Sequence, residues 1–242
     1  MIKPMIKPMV MTSLSMALVA GINTSASAAL ASDAVLNFNP GVTTTSSSSG
    51  TVFVKSGSYF GIDSDSNGKI STFERTAIRQ NDGLLVGQSQ FATGSHSGVV
   101  NGSESPGIDK AWELFTNTGM HWTQSPVNII NDDGAGNVEL DLSGWTIAWS
   151  GLQNISLGSG AWQTGFIDGV AQITCAADCR NGDSYTLDYS ATFSNSCACG
   201  FENAPYTLHL EGTISSVPIP AAVWLFGSGL LGLAGVARRR KT

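Results

Sequence analysis

The chain has 242 residues, 42% of them hydrophobic and only 12% charged. That excludes wholesale disorder and leaves room for one sizeable packed domain between shorter end segments. The net charge is −6, but Lys3, Lys7, Arg238, Arg239, Arg240 and Lys241 lie at the ends, so residues 29–216 keep 6 basic against all 18 acidic side chains, a net of −12; a body so acidic repels phosphate backbones and anionic lipid, which excludes nucleic-acid binding.

Residues 1–28 read as a secretory signal peptide. Lys3 and Lys7 supply the positive start. Residues 9–22 form an apolar run of about 14 residues, short of the roughly 20 that a spanning helix needs. Ala26-Ser27-Ala28 is an A-x-A cleavage site, which places the mature start near Ala29.

The body, 29–216, shows short β-branched or alternating runs between Gly, Ser, Asn and Asp clusters. Expected strands are 35–38, 51–54, 84–87, 127–130, 138–142, 145–149, 163–174, 184–193 and 206–214. The class is all-β, an antiparallel β-sandwich or jelly roll. Residues 41–50 (GVTTTSSSSG) read as a flexible loop, and 132–137 as a turn between two strands. No repeat of solenoid or propeller length is present. Alternation groups Trp145, Ile147 and Trp149 on one strand face, as it does Tyr185, Leu187 and Tyr189, then Tyr206, Leu208 and Leu210. Such stripes could stack sugars, but period-2 apolar stripes are what sandwich cores look like.

The strongest chemical motif is Asp63-Ser64-Asp65-Ser66-Asn67-Gly68-Lys69-Ile70-Ser71-Thr72-Phe73-Glu74. It fits the 12-residue EF-hand loop. Asp63, Asp65 and Asn67 supply oxygens, Gly68 the sharp turn, Lys69 its carbonyl, Ser71 a direct or water-borne contact and Glu74 two oxygens. A hard-oxygen set of this kind suits Ca²⁺. Ser71-Thr72-Phe73-Glu74 is a capping-box pattern, so a short helix over 72–80 is expected after the loop. The approach, 55–62, is glycine-broken and strand-like rather than helical. The site is therefore expected to be a lone loop with a structural role, similar to the calcium loops of dockerins.

Four cysteines, Cys175, Cys179, Cys197 and Cys199, suit two disulfides in an exported chain. A four-thiolate zinc site is the alternative. A continuous strand over 184–193 would span roughly 33 Å and favours the local bonds Cys175–Cys179 and Cys197–Cys199; a broken strand would readmit cross-pairs. His96, His121 and His209 fall in no zinc spacing, and no G-x-S-x-G or P-loop is present. His209 should face away from Leu208 and Leu210, and His121 lies in a segment read as loop. No enzyme is expected.

The tail, 217–242, reads VPIPAAVWLFGSGLLGLAGVARRRKT. Val217-Pro218-Ile219-Pro220 can continue neither strand nor helix. Residues 221–237 are uncharged and as a helix would span about 25 Å, enough for a thin bilayer. The cluster 238–241 sets a cytoplasmic end. Gly227 to Gly232 matches G-x-G-x-x-G but lacks the flanking strand and acidic residue of a dinucleotide site.

This tail resembles the PEP-CTERM sorting signals of Gram-negative bacteria, in the VPLPA-type variant. The likeness rests on Val217, Pro218, Ile219, Pro220 and Ala221, the apolar run with Trp224 and Gly227-Ser228-Gly229, and the Arg cluster. It implies an exosortase-type transpeptidase as partner, transient anchoring in the inner membrane, and delivery to the cell surface or matrix, with exopolysaccharide a possible ligand. The expectation is an exported, calcium-stabilised structural or adhesive matrix protein; a calcium-dependent glycan-binding module is the alternative.

Overall fold

The alternating runs become strands because each can bury one face. The computed structural model describes residues 30–216. The predicted signal peptide, the proline motif and the predicted membrane helix 221–237 lie outside them. Among the described residues no helix is long and apolar enough to cross a membrane.

The first strands are β1 (Ala34–Phe38), β2 (Val42–Thr45), β3 (Val52–Ser56) and β4 (Tyr59–Ile62), followed by a single 3-10 turn, Thr72–Glu74. Then come β5 (Arg75–Ala77), β6 (Leu84–Leu85), β7 (Trp112–Leu114), β8 (Asn117–Thr123), β9 (Ile129–Asp132) and β10 (Asn137–Asp141). The chain ends with β11 (Trp145–Trp149), β12 (Leu152–Ser156), β13 (Val170–Cys175), β14 (Ser184–Thr192) and β15 (Pro205–Ser216).

These strands make a nine-stranded antiparallel sheet, a four-stranded sheet and a two-stranded hairpin. The large sheet runs β5-β4-β15-β14-β13-β10-β9, with β1 and β6 attached beside β15. Strand β15 organises it. One edge pairs with β14 over 205–213; the other carries β4 opposite 206–209 and β1 opposite 212–216, end to end. Gly212 makes that junction possible, because a Cβ there would lie 1.9 Å from the Asn37 carbonyl oxygen. The small sheet runs β12-β11-β8-β7.

The two sheets share one core. Phe60, Leu187, Tyr189, Tyr206, Leu208 and Leu210 from the large sheet join Trp112, Trp145, Ile147, Trp149 and Ile155 from the small one. The apolar stripes are this core and are not a sugar-stacking surface. The small sheet is covered on its far side as well, where Met120, Trp122 and Ala148 pack against Ala92 and Ala111. Gln90 ties that cover down, its backbone exchanging hydrogen bonds with Thr123.

Several expectations change. The helix over 72–80 does not form. The Ser71–Glu74 capping box does, but Arg75 is already extended, at φ −94° and ψ 136°. Arg75, Thr76 and Ala77 pair with Gly61, Phe60 and Tyr59, and Ile78 is buried in the core. Sheet hydrogen bonds and burial outweigh a short helix with a costly nucleus. The stretch 41–50 is not wholly a loop: Val42 to Thr45 are β-branched and pair with β3. The strand expected over 163–174 begins only at Val170, after left-handed Gly165 and Gly169.

Candidate metal site

Strand β4 leads straight into the predicted calcium loop, and β5 leaves it. Ile70, the apolar eighth position, sits on β4: a Cβ on Gly61 would lie 2.4 Å from the Ile70 side chain. The loop is thus docked onto the edge of the large sheet. Its turn needs left-handed backbone at Ser66 (φ 58°) and Gly68 (φ 78°), which glycine adopts without steric cost.

Asp63 is 2% exposed. Its carboxylate accepts the backbone N–H groups of Asn67 at 3.0 Å and Gly68 at 2.8 Å. Asp65 accepts the Asn67 backbone N–H at 3.1 Å and its amide Nδ2 at 2.8 Å. Asn67 Oδ1 accepts the Lys69 N–H at 2.9 Å. Glu74 reaches back across the loop: Oε1 accepts the Ser64 N–H and Oε2 the Ser71 N–H, both at 2.8 Å. Burial pushes the Glu74 carboxyl up, but the Ser71 and Ser64 donors together hold it below its ordinary value. Ligand atoms of Asp63, Asp65 and Glu74 all lie within 4.8 Å of one another. Three carboxylates so close repel each other, and a cation among them relieves that. The structure therefore brings together the three charged members of the predicted set. Asn67 turns its amide onto Asp65 and Lys69, and Ser71 opens the 3-10 turn.

The cysteines form Cys175–Cys179 and Cys197–Cys199 disulfides. The four-thiolate zinc site is overturned, because every sulfur is bonded to another sulfur and β14, unbroken from Ser184 to Thr192, separates the two pairs along the chain. The second disulfide closes the turn before 200–205. Across a cleft of about 440 Å³, that segment faces Asp63, Ser64, Ser66 and Gly68.

Sequence reasoning missed a buried polar network. His121 lies in β8 rather than in a loop, and both it and Asp109 are fully buried. Asp109 accepts the His121 backbone N–H at 2.9 Å and the Trp112 indole N–H at 3.0 Å. Its Oδ2 is 2.5 Å from His121 Nδ1. Trp145 donates to the Tyr206 hydroxyl at 3.1 Å, and that hydroxyl also hydrogen-bonds His121 Nε2, 3.0 Å away. Burial raises the Tyr206 phenol well above its usual value, partly offset by the Trp145 bond, which keeps it a donor. Every member of the chain is satisfied, and it links β8 and β11 of the small sheet to β15 of the large one. The only available signal was a strand without alternation, since β8 is covered on both faces.

Further His–carboxylate contacts lie outside this network. His209 pairs with Asp188 at 2.7 Å on the outer face of the large sheet, and His96 with Glu104 at 2.6 Å in a loop. Comparison with family models, curated proteins and solved structures finds no match to this chain.

Proposed function

We propose that the body is a calcium-stabilised β-sandwich, exported and sorted by its tail to the cell surface or matrix, with a structural or adhesive role and no catalysis. The convergence of Asp63, Asp65 and Glu74 in a loop docked on β4 carries this reading. The donors fit Ca²⁺: three carboxylates, the Lys69 carbonyl, and the oxygens of Asn67 and Ser71 in EF-hand order. When bound, the ion neutralises the clustered charge. Asp63 follows β4 and Glu74 precedes β5, so a cation held between them clamps the edge of the large sheet.

The glycan-binding alternative has one observation in its favour, the cleft between the loop and 200–205. Against it, the only aromatic ring lining that cleft is Phe201. Tyr59, just before the loop, is half-buried with the Arg75 guanidinium 4.4 Å over its ring. Trp112, Trp122, Trp145 and Trp149 are buried.

The test is retention of the purified protein on the producing organism's exopolysaccharide, in calcium and in chelator. The structural reading expects calcium to raise thermal stability without controlling retention. Retention that appears with calcium and vanishes with chelator at unchanged fold transfers the site to glycan binding.

A further inference from the structure

The strand that leaves the calcium loop forms one wall of a second cleft, separate from the metal ligands. Thr76, Ala77, Arg79 and Asn81 line one side; Lys110 and Glu113 line another. Its volume is about 510 Å³, within the range of small-ligand sites. The backbones of Arg79 and Lys110 are joined by the Lys110 N–H to Arg79 carbonyl hydrogen bond at 2.8 Å, and both residues line the cleft. Residues 29–216 hold only 6 basic side chains, and two of them meet here.

Neither cation is spent internally: among the described residues, neither Arg79 nor Lys110 forms an ion pair. Glu104, which also borders the cleft, is already engaged. It pairs with His96 at 2.6 Å and accepts the Gly102 N–H at 2.9 Å. A guanidinium and an ammonium on one cleft, neither paired with the Glu104 or Glu113 carboxylate that also lines it, can take a ligand carboxylate. Thr76, Asn81 and Glu113 add hydroxyl, amide and carboxylate groups that suit sugar hydroxyls. The apolar lining comprises Ala77, Val100, Pro106, Ala111 and Trp112.

We propose that this cleft binds a uronate residue of an acidic polysaccharide, with Arg79 and Lys110 on the carboxylate. The inference goes beyond the calcium reading and does not need the ion as a ligand. The surrounding acidic body repels the rest of such a polymer, which confines the contact to this one place and makes it sensitive to salt.

The test is calorimetric titration of the full-length protein with a galacturonate trimer. Its methyl ester serves as the uncharged control, and a glutamate trimer as the acidic peptide control. The expected result is binding of the acid that weakens as salt rises, none of the ester, and little of the peptide. Arg79→Gln and Lys110→Gln should each weaken binding about tenfold while leaving the melting temperature and its rise with calcium unchanged. Equal binding of acid and ester, undiminished binding by the double variant, or no binding at all by the folded protein overturns the proposal. Preference for the peptide trimer overturns the sugar assignment. Because the calcium-induced rise is recorded on the same samples, its loss marks failure of the calcium reading and not of this one.

Discussion

Asp63 and Glu74 close the 63–74 loop from its two ends, and each does so with its charge held by backbone N–H groups. Replacing either by Ala removes ligand oxygens and leaves those donors unpaired. Asp63→Ala and Glu74→Ala should each abolish the rise in melting temperature on adding calcium; a variant that still melts higher with calcium places the ion elsewhere. His209 gives a pH dependence. The Asp188 hydrogen bond raises its pKa, and burial opposes this more weakly. A folded value above the unfolded one means that the pair's stabilisation is fully present below about pH 6.5 and is lost as pH rises through the folded value. Stability should therefore fall on the alkaline side of that point in the wild type and stay flatter in Asp188→Asn. Equal slopes in thermal melts across this range would remove His209 as the cause. The clustering of Asp63, Asp65 and Glu74 was legible in the sequence because all three lie inside one twelve-residue run. The His121 network was not, because Asp109, His121 and Tyr206 meet only after the two sheets pack.

At the scale of elements, β15 is the piece that others depend on. Gly212→Ala places a methyl group against the Asn37 carbonyl oxygen and should cost about 1–3 kcal/mol through overpacking, read as a lower urea midpoint. An unchanged midpoint would mean that β1 shifts freely along β15. The Tyr206 hydroxyl bridges Trp145 on β11 to His121 on β8, so Tyr206→Phe leaves two buried groups without a partner. The expected loss is about 1–3 kcal/mol, with the same measurement as check. Strands with one wet face, such as β14 and β15, alternate cleanly and could be read from sequence. Strand β8 could not: residues 88–111 cover its far side, so Gly119 to Trp122 show no period. Strand β5 was hidden by a true local signal, since the capping box at Ser71–Glu74 forms yet governs only one turn. Strand β2 sat in a serine- and threonine-rich run whose composition spoke louder than its β-branched start.

For the whole molecule, a net charge of −12 over residues 29–216 keeps the body soluble and repels anionic polymers generally. The fold answers that charge in two places. At the 63–74 loop three carboxylates converge and could hold a cation; at the Arg79–Lys110 cleft two cations form no ion pair among the described residues. The class, all-β and antiparallel, followed from short strands and turn residues. The sheet order did not, because β15 pairs with elements near both ends of the domain, and no local signal encodes such long-range choices. On the proposed reading, one Ca²⁺ ion clamps β4 to β5 at the edge of the large sheet. The most direct measurement is calorimetric titration of the chelator-stripped protein with calcium, repeated with Glu74→Ala. One site per chain is expected, with a Kd of about 10⁻⁴ to 10⁻³ M, absent in the variant. No binding heat in the wild type, or the same single site in Glu74→Ala, would contradict it.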